Sequence, residues 1–180
     1  MYQLTQNDPL NWTLGPWNQW SSTTNYLTNK AQPQDAAWPS ANLAIYVPFY
    51  LRAPMVLGSI WIMNGATVSG NQDLGIYTES GTNIISSGSV ASAGTSAPQR
   101  FVLTTPIALN RGRYWLAAAK NDGTGTHFAW NTASTFVSRM LGCAQQATAF
   151  ALPATATFAT TGQIYLPLIG IQPLDALIAL

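Results

Sequence analysis

From residue 41 onward the chain alternates short apolar runs with clusters of Gly, Asn, Ser and Pro, the texture of strands separated by tight turns. Residues 44–47 and 49–51 flank Pro48, which lacks a backbone N–H and so places this strand at a sheet edge or a bulge. Further runs of strand length follow at 55–63, 73–77, 83–86, 100–103, 113–119, 126–130 and 164–171, the last interrupted by Pro167. Between them stand Asn64-Gly65, Ser69-Gly70-Asn71 and Glu79-Ser80-Gly81-Thr82, where Gly and Asn tolerate positive φ and let the chain reverse. The Ser/Gly/Ala stretch 86–98 lies between strand-like runs and reads as a small-residue strand with a loop. The segment 133–149, with Met140 and Leu141, is the one place where a short helix is expected. Eight candidate strands with so little helix predict two packed antiparallel sheets: an all-β, jelly-roll-like sandwich over residues 41–173.

Residues 1–40 follow neither the strand nor the helix period and carry Trp12, Trp17, Trp20 and Trp38 among Asn, Gln, Thr and Pro. A segment with so few aliphatic side chains builds no core of its own and reads as an extended N-terminal arm. Three Trp within nine residues are costly to leave in water. The arm is therefore expected to lie against its own sandwich, a neighbouring subunit or a shell protein. Trp12, Trp17 and Trp20 are the candidate subunit contacts. Residues 174–180 form an apolar C-terminal tail, which implies a buried or partner-covered end.

Composition sharpens this picture. The apolar share of 47% is ordinary, but only 7% of residues are charged, against roughly 25% in a typical soluble domain. Neutral Asn, Gln, Ser and Thr replace charge on the surface, and a formal net charge of +1 offers little repulsion between copies. Permanent packing partners suit such a surface better than life as a free monomer. The seven basic residues are scattered, Arg111 and Arg113 being the nearest to a cluster, so nucleic acid is not an expected partner. The first residues lack the basic start and apolar run of a secretory signal, and no stretch approaches the roughly 18 apolar residues of a membrane span. Neither export by that route nor a membrane partner is expected.

The inventory of reactive groups is thin. Cys143 is the one cysteine and His127 the one histidine, and neither lies in a nucleophile signature. Asp73 and Glu79 are the nearest pair of acids, but they flank a strand and its turn, where carboxylates more often satisfy backbone donors. A calcium site from Asp73, Glu79 or Asp122 with loop carbonyls is a lesser alternative, since hard cations take oxygen ligands from loops. Gly65, Gly70, Gly75 and Gly81 punctuate strands without a following Lys-Ser or Lys-Thr, so no phosphate loop is indicated. Trp61, Trp115 and Trp130 fall in strand-like runs and read as core aromatics, with sugar stacking the lesser alternative. No catalytic residue, metal or cofactor is expected.

Several strings carry a family likeness: Ala36-Ala37-Trp38-Pro39-Ser40-Ala41-Asn42 leading into Ala44-Ile45-Tyr46-Val47-Pro48-Phe49, then residues 64–71 and Asp73-Leu74-Gly75-Ile76-Tyr77. Gly94-Thr95-Ser96, Gly112-Arg113-Tyr114-Trp115-Leu116-Ala117 and residues 149–156 add to it. Together they resemble small β-sandwich structural proteins of tailed bacteriophages, over residues 35–171. The resemblance implies a fold and a virion location, and it supplies no functional residue. It points to a non-enzymatic structural protein, foremost a capsid decoration or cement protein bound to the major capsid or other virion proteins. A homo-oligomer is the expected state, with trimers frequent in such positions. The alternative is a tail fibre or baseplate component that binds host glycans through loops such as 64–71 or 121–127.

Overall fold

Thirteen strands and one short helix make up the described residues, 33–131 and 134–174, of this computed structural model. The central strand is β8 (Gly112–Lys120), paired antiparallel with β2 (Ala44–Leu51) on one side and β4 (Asn71–Thr78) on the other. β5 (Asn83–Ser86) and β6 (Val90–Ala91) extend this sheet beyond β4; β10 (Ala144–Gln146) and β11 (Ala159–Thr160) extend it beyond β2. Opposite lie two antiparallel sheets of three strands each. One has the order β13 (Ile169–Pro173), β3 (Met55–Met63), β7 (Pro98–Leu109), and the other β1 (Gln34–Ala37), β9 (Thr126–Asn131), β12 (Tyr165–Pro167). An isolated bridge between Asn64 and His127 joins them, so the two small sheets act as one layer. The chain is an antiparallel β-sandwich; these strand orders do not show the jelly-roll connection.

Period-2 alternation decides which residues fill the sandwich. Ile45, Val47, Phe49 and Leu51 of β2, Leu74 and Ile76 of β4, and Leu116 and Ala118 of β8 turn to the opposing layer, where Leu57, Ile60 and Ile62 of β3 receive them. The residues between these turn the other way and are buried too. Tyr46, Tyr77, Ala117 and Ala119 lie under Ala149, Leu152 and Ala156, with Phe150 and Phe158 packed alongside. Ala117 of β8 follows from this: the Tyr46 and Tyr77 rings meet edge to face at 5.5 Å from the two flanking strands, and a larger side chain between them would have no room. Their hydroxyls donate to Gln146 Oε1 and to the Pro153 carbonyl, which pins the covering segment.

Asp73 fastens the same segment. Its carboxylate is fully buried, with Oδ1 accepting from the Ser86 and Ser87 hydroxyls at 2.6 and 3.2 Å and Oδ2 accepting from the Leu152 N–H at 2.9 Å. The helix α1 (Thr135–Met140) leads into the covering segment. It ends with the Gly142 N–H on Arg139 O, the Cys143 N–H on Ser138 O, and Gly142 itself at φ +77°, a conformation that favours a residue without a Cβ.

Two expectations change. Residues 34–37 of the segment assigned to the arm form β1, and Trp38 is 2% exposed, edge-on to Tyr165 at 5.4 Å with its indole N–H on Leu43 O. The sandwich therefore begins before residue 41, at a strand too short to show a period. The expected strand 164–171 is two strands in different sheets, β12 and β13, and Pro167 with Leu168 marks the crossover. Pro48 sits where expected: β10 covers β2 only at 44–46, so beyond it the strand has a neighbour on one side alone. Residues 1–32, with Trp12, Trp17 and Trp20, and residues 175–180 of the apolar tail lie outside the described residues. Among the described residues no helix is long and apolar enough to cross a membrane.

Replacing Asp73 by Ala removes the acceptor for three hydrogen bonds and should lower unfolding free energy by about 2 kcal/mol or more. Urea denaturation of the two proteins measures it; an unchanged midpoint would show that the carboxylate does not hold the covering segment.

Candidate functional site

At one end of the sandwich five inward rows of core residues finish in a polar group. Ile60 and Ile62 of β3 are followed in phase by Asn64; Ile76 and Leu74 of β4 lead back to Gln72; Leu116 and Ala118 of β8 lead to Lys120. Phe101 of β7 leads back to Gln99, and Ala129 of β9 to His127. Asn64, Gln72, Lys120 and His127 are all at most 1% exposed. Because buried polar groups are costly without partners, they bind one another. Gln72 bridges Gln99 Oε1 at 2.6 Å and His127 Nε2 at 2.8 Å, and Asn64 Nδ2 donates to Gln99 Oε1 at 2.9 Å. The network spans all three sheets. Trp38 covers the His127 ring edge to face at 5.5 Å.

Above this layer three loops close over the end. The Gly65 N–H donates to Thr126 O and the Thr126 N–H to Thr67 O, both at 2.8 Å, while the Asn71 N–H donates to Asn121 Oδ1 at 2.8 Å. The Ser96 N–H reaches Gly65 O and the Ser92 N–H reaches Gly70 O, which brings in the loop after β6. Asp35 of β1 accepts the Ala66 N–H at 3.0 Å. Lys120 holds the loops from below: Nζ donates to Ser69 O at 2.6 Å and Ser92 Oγ at 2.9 Å, with Asp122 Oδ1 at 3.4 Å. Gly125 makes room for this ammonium, since a Cβ there would stand 2.6 Å from Nζ.

Charge states follow from the surroundings. Burial pushes the Lys120 pKa down, partly opposed by Asp122. Burial would raise Asp122, but hydrogen bonds from Ser69 and Thr124 and the Lys120 charge outweigh it and hold the carboxyl below its usual value. His127 is pushed down to about 3, by burial first and Lys120 second, against the opposing pull of Asp122 and Asp35. It is therefore neutral at ordinary pH.

The described acids, the cysteine and the histidine do not converge on a reaction centre. Asp73 is under Leu152, Glu79 pairs with Arg113 on the surface at 3.2 Å, and Asp122 sits at the other end of β4 from Glu79. That eight-residue strand separates the ends by roughly 25 Å. Among the described residues no three acids, histidines or cysteines gather as metal ligands would. The Cys143 thiol is buried and pushed up to about 12, and the His127 ring is engaged by Gln72. Trp61, Trp115 and Trp130 are half-buried rather than enclosed. Trp115 tilts onto Phe158 at 4.4 Å and Trp130 packs against the main core. The structure does bring the loops 64–71 and 121–127 together.

In the unfolded chain His127 titrates near 6.5. Between that value and about 3 the unfolded state binds a proton that the folded state refuses, so stability falls as pH drops through this window. The expected loss is on the order of 1 kcal/mol per pH unit. Asp122, held low, weakens the fold in the same direction at the acid end. Urea midpoints at about pH 7 and about pH 4 check this. His127→Gln, which keeps a donor for Gln72, should flatten the slope; an equally steep slope in that variant would place the acid sensitivity elsewhere. Comparison of the sequence with known protein families and with curated proteins finds no match.

Proposed function

We propose that this chain is a non-enzymatic structural protein of a tailed-bacteriophage virion, and that it acts as a capsid decoration protein stabilising the shell. The observation that carries this reading is how the molecule divides its side chains. The acids described are engaged within the fold: Asp35 on a loop N–H, Asp73 under the covering segment, Glu79 with Arg113 and Asp122 among Ser69, Thr124 and Lys120. Large apolar groups are what the surface offers instead. Phe136 and Met140, one turn apart on α1, are 66% and 68% exposed, and Val102 of β7 is 59% exposed. Apolar contact area beside very few charges suits a permanent protein contact rather than a solvated catalytic cleft. The virion location rests on the sequence resemblance described above, as do the homo-oligomer and the capsid partner. In this reading Trp12, Trp17 and Trp20 reach neighbouring subunits.

A second reading, a tail component that binds host glycans, is favoured by the convergence of the loops 64–71 and 121–127, where Thr67, Gly70, Asn121 and Thr124 are exposed. Against it, neither loop contains a Phe, Tyr or Trp on which a sugar face could stack.

Cryo-electron microscopy of purified particles separates the two: density on the capsid lattice is expected, tail density would favour glycan recognition, and absence from the particle would overturn both. The double substitution of Phe136 and Met140 by Ser should leave the urea midpoint unchanged. Each buried side chain of this size contributes about 1.5–3 kcal/mol, so incorporation should weaken by at least about tenfold. Full occupancy of the double variant would remove α1 from the contact.

A further inference from the structure

Hydrogen-bond roles inside the polar layer are fixed by two backbone groups. The Ala93 N–H donates to Gln99 Oε1 at 2.7 Å, and Gln99 Nε2 donates to the Ala91 carbonyl at 2.9 Å, so the Gln99 amide has one orientation. Gln72 must then offer its amide nitrogen to Gln99 Oε1, and Asn64 must offer its own to Gln99 Oε1 and to the Ala93 carbonyl, 2.6 Å away. With its nitrogen so used, Gln72 presents its oxygen to His127, and the proton of the neutral ring must reside on Nε2. Two acceptors are left with no protein donor: the bare lone pair of His127 Nδ1 and Asn64 Oδ1. Both residues are 1% exposed, so bulk water does not reach them.

Asn64 and His127 are also direct partners in the antiparallel bridge that joins the two small sheets, so their side chains leave the same face. We propose that Asn64 Oδ1 and His127 Nδ1 form a buried site for one water molecule, which donates one O–H to each and ties β3 to β9. The chemistry selects this ligand. Two buried acceptors on one face of the bridge call for a double donor, and cross-strand partners about 4.5–5.5 Å apart at Cα stand close enough for one small molecule to reach both side chains. A metal or ammonium ion would satisfy the acceptors equally but would meet the Lys120 ammonium, which is buried in the same layer. A neutral molecule with two donors and little volume is what remains, and an interior water with few polar partners is a recurrent structural element.

The test uses the full chain without substitution. Nitrogen-detected NMR of the His127 ring should show Nε2 protonated and Nδ1 bare but hydrogen-bonded. A high-resolution crystal structure should show one ordered oxygen within hydrogen-bond distance of both Asn64 Oδ1 and His127 Nδ1. A proton on Nδ1, a direct contact between the two side chains, an anomalous peak from a metal ion at that position, or no density there would each overturn the proposal.

Discussion

The amide, imidazole and ammonium groups that close one end of the core are the constraint on which the remaining architecture depends. A sandwich core that ended in apolar side chains would leave the three loops above it with nothing to bind except one another. Here Lys120 reaches two of those loops through Ser69 O and Ser92 Oγ, and Gln99 takes up the Ala91 and Ala93 backbone. The strands that supply Gln72, Gln99 and His127 belong to three separate sheets, so the network fixes the sheets in relation to each other as well as the loops. A slip of one residue in any of these strands would turn a polar group outward and leave its partners unpaired in the interior.

The central sheet has no solvent-facing side over much of its extent. Its inner face meets the opposing layer and its outer face meets the covering segment, where Asp73 and the two tyrosine hydroxyls supply the polar anchors. The most exposed large apolar side chains lie instead on α1 and on β7 at the edge of its sheet.

Much of the sandwich was legible because apolar runs and turn residues report strands directly. The turns at Gly70 and Gly81, both at positive φ, stand where the sequence places reversals, and the helix falls inside 133–149. What the sequence concealed has physical causes. β1, β10 and β11 are two to four residues long, too short for a period to register. The covering segment is mostly Ala, Thr and Pro, with Phe150, Leu152 and Phe158 spread among them, and reads as loop because so few large apolar side chains leave a weak hydrophobic signature. The polar layer carried a signal that composition does not show: Gln72, Lys120 and His127 each stand in phase with core residues of their own strand, which marks a polar group turned inward. The loops around it were legible as turns; their convergence depends on pairing between strands distant in sequence.

That pairing is nested. β1 waits for β9, β2 for β8, and β3 for both β7 and β13, with Leu57 opposite Pro173 at the far end of the described chain. The pairings of β4 with β5 and β6 and of β10 with β11 are the local ones. During synthesis the first three strands therefore remain without their partners until most of the chain has emerged, and slow closure of such long loops is the kinetic cost of a non-local topology. With so few charges to keep unpaired strands apart, that interval is when the nascent chain is most exposed to aggregation.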